Sequence, residues 1–455
     1  MTPNARLAFV LLLLAIGTLT RAEGASRTTV HQFAGSADGA FPQGGVISDA
    51  QGNLYGTTEF GGANWCRSPY SIPGCGTVFE LSPPSQQGGS WIETILHSFN
   101  FNRGDGAFPT SSLIRDEHGN LYGTTQVGGR GSCVTYFGEM GCGSVFELSP
   151  PFRPGEPWSE KVLYSFQGGN DGYEPYAGLV LDAAGNLYGT TVNGGANACG
   201  CGTVFEIVRP ADAGDWSEHL LYSFNDGPPN FQDGQFPYAP LVFDAEGNLY
   251  GTTSSGGTDR ICGDQYYYVC GTVFELSPPT SQDGSWTETI LYTFDTYGQG
   301  PMGGLIFDQQ GNLYGTTALG PGFGGNFLGG VVFELSPPSQ PGGPWTEKTL
   351  YALNDNADDP GSYAALTFDT SGNLLGTSVA WPLSGEGTVF RLNKPNHAIG
   401  DWTATSLGFG GQPNAPLIWG FGGALYSTTP LGGGVNGKCN SVNFYGCGTV
   451  FSIKP

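Results

Sequence analysis

The side chains best suited by type and spacing to do chemistry are ten cysteines, a repeated Asp-Gly pair and a set of loop aromatics. The cysteines fall into local pairs: Cys66 with Cys75, Cys133 with Cys142, Cys199 with Cys201, Cys262 with Cys270, and Cys439 with Cys447. The second member always precedes an apolar run, as in Cys75-Gly76-Thr77-Val78-Phe79, and the matching segments at Gly330 and Gly387 have no cysteine. Joint presence and joint absence predict disulfides, each closing a short loop and worth roughly 2–3 kcal/mol where its geometry is unstrained. Cys199 and Cys201, with one residue between them, have the least room. Zinc held by cysteine would need ligands from two pairs or a nearby imidazole, and the five histidines lie elsewhere.

The Asp-Gly pairs sit in Asp38-Gly39-Ala40-Phe41-Pro42, Asp105-Gly106-Ala107-Phe108-Pro109, Asp171-Gly172 and Asp233-Gly234-Gln235-Phe236-Pro237. The cysteine loops carry Trp65, Tyr70, Tyr136, Phe137, Tyr266, Tyr267, Tyr268, Phe444 and Tyr445. Rings stack on the apolar faces of sugars while carboxylates accept hydroxyl hydrogen bonds, so these two sets together form a candidate glycan-binding face. The alternative is that the aromatics pack the loops internally and the aspartates build turns. No cofactor is expected. Calcium at the Asp-Gly loops is the remaining option, without the twelve-residue Asp-rich loop that calcium hands use. No catalytic residue is assigned: Gly-x-Ser-x-Gly, His-Glu-x-x-His and phosphate-binding Gly-Lys-Ser/Thr motifs are all missing from the sequence.

The elements that position these loops are repeated. Gly52-Asn53-Leu54-Tyr55-Gly56-Thr57-Thr58 recurs around Asn120, Asn186, Asn248, Asn312 and Asn373, and in degraded form near Ala424. Gly-Thr-Val-Phe-Glu-Leu starts at Gly76 and returns at Gly143, Gly202, Gly271, Gly330, Gly387 and Gly448. Trp-x-Glu-x-x-Leu-Tyr-Ser-Phe starts at Trp91, Trp158, Trp216, Trp286, Trp345 and Trp402, so one copy is missing. Its end reappears at the front, as Thr-Thr-Val-His-Gln-Phe over Thr28 to Phe33. Short β-branched and aromatic runs between Gly, Pro and Asn turns read as four antiparallel strands per unit. The expected fold is all-β: a seven-bladed propeller over residues 26–455, closed by the N-terminal strand pairing with the strand from Gly448 to Lys454. In the turn Asp-x-x-Gly-Asn, beginning at Asp49, Asp116, Asp182, Asp244, Asp308 and Asp369, the aspartate is expected to cap backbone amides. His31 and His97 stand where Tyr164, Tyr222 and Tyr292 stand in sibling units, and are expected to pack. In an up-and-down blade the Asp-Gly loops and cysteine loops emerge on one face.

These motifs resemble the GloVer (Gloeobacter/Verrucomicrobia) tandem repeat of exported bacterial proteins, over about Arg27 to Pro455. Leu375, Ser378 and the stretch from Gly420 to Ser427 depart from the pattern. The resemblance implies a propeller architecture and export, and it carries over no catalytic residue.

Residues 1–22 read independently as a secretory leader: Arg6, an apolar run from Leu7 to Leu19, then small residues. That run is too short to span a bilayer, and no second one follows. The mature chain is expected in the periplasm or outside the cell, with no membrane span. A net charge of −23 excludes nucleic acid as a partner, because such a surface repels phosphate backbones. A monomeric binding module for an extracellular glycan or protein is the expected function. A polysaccharide hydrolase or lyase with acidic residues near the central channel, and a purely structural envelope or matrix component, are the alternatives.

Overall fold

Every Asp-x-x-Gly-Asn turn joins two strands, and the sequence motif on either side supplies the next two. The computed structural model describes residues 20–21, 25–66, 73–86, 88–101, 104–134, 141–153, 155–197, 199–212, 214–225, 233–257, 270–281, 284–294, 299–318, 329–340, 342–353, 361–379, 387–397, 400–433, 439 and 446–455. In the first blade the strands are Ile47–Ser48, Leu54–Thr58, Thr77–Ser82 and Ile92–Ser98, hydrogen-bonded in that order. Five further blades repeat the order, through to a last strand at Thr403–Phe409. The seventh takes Ile418–Trp419, Leu425–Thr429 and Thr449–Lys454 from the C-terminus and its outer strand, Ser26–Gln32, from the N-terminus. Ser26 faces Lys454 and Gln32 faces Thr449, so the ring is closed by its own ends, as the cut repeat predicts. Thr20–Arg21 adds a short parallel strand to the outside of the sixth blade. No α-helix occurs among the described residues, and no described helix is long and apolar enough to cross a membrane.

The core lies between blades. The glycine of Leu-Tyr-Gly-Thr-Thr leaves room for the third-strand phenylalanine: a Cβ at Gly56 would come within 2.6 Å of Phe79. That phenylalanine in turn meets the last Phe of the preceding blade. Phe33 and Phe79, Phe99 and Phe146, Phe166 and Phe205, Phe224 and Phe274, and Phe294 and Phe333 all have ring centroids 5.0–5.2 Å apart. Each buried ring stabilises by roughly 1.5–3 kcal/mol, and the edge-on geometry adds to that. Trp158 and Trp216 pack on Tyr55 and Tyr122 of the preceding blade, so the tryptophan motif is an inter-blade contact as well as an edge cover.

The turn aspartates cap as expected. Asp49 Oδ1 accepts from the backbone N–H groups of Gln51 and Asn53, and Oδ2 accepts from the Asn53 amide and the Tyr55 hydroxyl. Asp116, Asp182, Asp244 and Asp308 do the same. Where Leu375 replaces tyrosine, Asp369 keeps the amide contacts alone.

Candidate functional site

Disulfides join Cys66 to Cys75, Cys133 to Cys142, Cys199 to Cys201 and Cys439 to Cys447, with Cα atoms 5.0–5.3 Å apart. Cys270 is disulfide-bonded as well, while Cys262 lies outside the described residues. The clamps reach beyond their own blades. The carbonyls of Cys75, Cys142, Cys201 and Cys447 accept the backbone N–H of Phe108, Glu174, Phe236 and Phe41, each in the next blade. Those four donor residues hold a left-handed backbone, with φ between 58° and 61°. A non-glycine residue there stores roughly 1–3 kcal/mol of strain, which such cross-blade bonds must hold in place.

Of the loop residues singled out by sequence, Trp65 is 73% exposed. Tyr70, Tyr136, Phe137, Tyr266, Tyr267, Tyr268, Phe444 and Tyr445 lie outside the described residues. The four Asp-Gly aspartates are distributed over four successive blade junctions and are not brought together. Each accepts a backbone N–H in its own loop: Asp38 from Ala34 at 2.8 Å, Asp105 from Asn100 at 2.9 Å, Asp171 from Gln167, and Asp233 from Asn225 at 2.6 Å. Each also faces the aromatic or imidazole two positions before the blade's last phenylalanine. Tyr164 and Tyr222 donate to Asp171 and Asp233 at 2.9 and 3.0 Å, and His97 Nε2 lies 3.0 Å from Asp105. The bulge that all seven outer strands share, as at Leu163 or Leu96, re-aims these side chains toward the junction. His31 and His97 also pack edge-on against Phe33 and Phe99, as expected.

Motif reasoning passes over the glutamate of Trp-x-Glu, which reaches into the same junctions from the following blade. Glu218 and Glu288 are half-buried, each with a buried oxygen lacking a hydrogen-bond partner. Burial, and then the charge of Asp171 or Asp233, pushes their carboxyls up to about 7 and about 8.

The other missed feature is the axis. The residue after the inter-blade proline projects from each blade into one central cavity of about 670 Å³: Gln43, Thr110, Tyr176, Tyr238, Met302, Tyr363 and Asn414. In the sixth blade Ser362 takes the place of the proline. Around the ring these fall into two arcs. Blades seven, one and two present amides and a hydroxyl; blades three to six present three tyrosines and a methionine. Tyr176 and Tyr238 meet edge-on with centroids 5.4 Å apart. Gln43 accepts from the Asn414 amide at 3.2 Å and donates to Glu59 at 2.7 Å. Thr110 Oγ1, Asn414 Oδ1 and Gln412 Nε2 are buried with no hydrogen-bond partner. The described lining carries no ionisable carboxylate or basic group. Behind it, burial pushes the Glu59 carboxyl up to about 7, against the opposing hydrogen bond from Gln43.

The scaffold fixes the ring's backbone. In five blades the first threonine of the Thr-Thr pair donates to a carbonyl beside the ring residue of the next blade: Thr57 to Ser111, Thr124 to Ala177, Thr190 to Pro237, Thr316 to Ala364, and Thr428 to Gly44, at 3.0–3.1 Å; the Thr252 hydroxyl has no partner among the described residues. The proline presses on the glycine that opens the third strand. A Cβ at Gly143, where φ is +92°, would lie 2.5 Å from Pro175. Backbone position is therefore fixed by repeated residues, and the side chain at its end is free to differ. The one signal in the sequence is that difference: the position after the inter-blade proline, or Ser362, reads Gln, Thr, Tyr, Tyr, Met, Tyr and Asn around the ring.

Among solved structures, the chain is similar to an oxidoreductase (glucose dehydrogenase) from Thermus thermophilus, with 16% identity, 75% of this chain and 95% of that one covered, and a TM-score of 0.38. It is similar also to a gluconolactonase from Xanthomonas campestris, with 14% identity, 68% and 78% covered, and a TM-score of 0.34. Likeness at this level carries nothing about activity. Comparison with curated proteins returns no match. The profile of the Gloeobacter/Verrucomicrobia repeat matches residues 15–137 and 132–358, so the tandem motifs, the blades they build and this match agree: the chain belongs to the Gloeobacter/Verrucomicrobia repeat family.

Proposed function

We propose that the protein is an exported binding module that takes a neutral, hydroxyl-rich ligand, an extracellular glycan, into the axial cavity. The two-arc ring is the observation that carries this reading. Tyrosine faces on one side suit the apolar face of a sugar, and the amide and hydroxyl side chains of Gln43, Asn414 and Thr110 on the other suit its hydroxyls. The ring follows directly on the Asp-Gly loops, so the clamped-loop face, on which Trp65 is exposed, becomes the approach to the cavity. The secretory leader over 1–22 and the disulfides support placement outside the cytoplasm. Glycan-array binding followed by titration of the best hit tests the proposal: Tyr238→Ala should lower affinity by about tenfold or more, the equivalent of about 1.4 kcal/mol. Unchanged affinity in that variant refutes it.

A hydrolase or lyase is the second reading, and Glu59 is the observation that favours it. A carboxyl near neutrality, one hydrogen bond behind the ring, has the pKa of a general acid or base. Release of shortened or unsaturated products from a polysaccharide panel, abolished by Glu59→Gln, separates catalysis from binding.

A further inference from the structure

Away from the axis, two blade junctions differ from their neighbours in one residue. Where blades two and three contribute Tyr164 and Tyr222, blades seven and one contribute His31 and His97. A tyrosine hydroxyl closes its junction by donating to the aspartate. An imidazole offers a nitrogen lone pair instead. At the first of these junctions His97 Nε2 lies 3.0 Å from Asp105 Oδ2, and the Asp105 side chain is only 10% exposed. One donor atom each from His97, Asp105 and Glu160 falls within 4.8 Å of the others. Asp105 Oδ1 and Glu160 Oε1 are buried there with no hydrogen-bond partner. His31, Asp38 and Glu93 repeat the arrangement at ring closure, with His31 Nε2 3.3 Å from Glu93 Oε1.

One imidazole and two carboxylates, with orphaned oxygens inside a partly dry junction, match the ligand set of a first-row divalent ion. Small rotamer changes would bring all three donors to roughly 2.0–2.2 Å from a common centre. Arg130 and Lys161 line the cavity beside Asp105 and oppose any cation held by charge alone. An ion with strong affinity for nitrogen overcomes that opposition better than calcium, which takes six to eight oxygens.

We propose that His97, Asp105 and Glu160 form an inter-blade site for a divalent transition ion of the zinc class, and that His31, Asp38 and Glu93 form a second one where the ring closes. The bound ion joins the outer strands of adjacent blades, a role distinct from ligand binding on the axis. The chain supplies its own control, since replacing either histidine by tyrosine reproduces a junction that blades two and three already use.

Tag-free full-length protein, stripped with a chelator, is titrated with Zn²⁺ and in parallel with Ca²⁺ by calorimetry, with Co²⁺ absorption as a coordination readout. The expected result is uptake of two zinc ions per chain, at least about tenfold tighter than calcium, with a rise in melting temperature. His97→Tyr should take up one, and the His31→Tyr/His97→Tyr double variant none, while both still melt cooperatively. Should the tyrosine variants fold poorly, the isosteric Glu160→Gln must also drop uptake by one. No uptake by the parent, equal affinity for calcium, or two ions retained in the double variant or in Glu160→Gln overturns the proposal.

Discussion

The Asp-x-x-Gly-Asn turns and the axial ring show what a repeat protein holds fixed and what it lets vary. At six turns the same aspartate makes the same backbone contacts, because that geometry demands an acceptor at one place. At the axis the backbone is held in most blades by a threonine bond and a proline contact, yet the side chain changes from blade to blade. Identity follows local backbone need in the first region and is released from it in the second. Repetition in this chain therefore marks scaffold, and under the proposed function the varied ring is where a ligand would select residues.

The sharpest break of that comparison is the closure itself. Deleting residues 26–32 removes the outer strand of the seventh blade and leaves Thr449–Lys454 as an open edge. Cooperative unfolding should be lost, and calorimetry that returns the parental transition would show the ring does not depend on its termini. Next in size is the turn: Asp116→Ala leaves the N–H groups of His118 and Asn120 and the Tyr122 hydroxyl without their acceptor. It should destabilise by about 2–3 kcal/mol in denaturant melts, whereas Tyr238→Ala on the ring should cost about 1 kcal/mol or less. Equal costs would erase the distinction between scaffold and ring.

The smallest effect concerns pH. Glu288, facing Asp233 and Tyr222 across its junction, is raised by burial and then by Asp233 to about 8. A carboxyl with a folded pKa above its unfolded value binds its proton more tightly in the folded state. Its contribution is complete below the ordinary value of about 4.5 and is lost as pH rises through about 8. Asp308 and Asp369 act oppositely: burial alone would raise them, but hydrogen bonds from their own turns hold them low, so their contribution is lost in acid. Stability should fall between pH 5 and pH 8, and Glu288→Gln should remove on the order of 1 kcal/mol of that slope. A parental slope in the variant would mean the junction titrates elsewhere.

Much of the architecture is legible in the sequence, because each blade spells out the same contacts. The split repeat at Thr28 to Phe33 predicts the closure, and the paired cysteines predict their bonds. The axial ring escapes such reading for the opposite reason: Gln43, Thr110, Met302 and Asn414 share no residue type, so no motif joins them until the chain is curved around an axis. Glu160 and Glu288 stand in a visible motif, but their burial depends on how one blade's outer strand leans on the next. The loop aromatics remain the unplaced part of the predicted site, with Trp65 alone of that set described.

One measurement separates the ring from its approach. A glycan identified by array screening is titrated into the parent, Tyr238→Ala and Trp65→Ala under the same conditions. The axial account predicts that Tyr238→Ala weakens binding by about tenfold or more while Trp65→Ala changes it by less. Parental affinity in Tyr238→Ala, with the loss confined to Trp65→Ala, would contradict it and return recognition to the clamped loops.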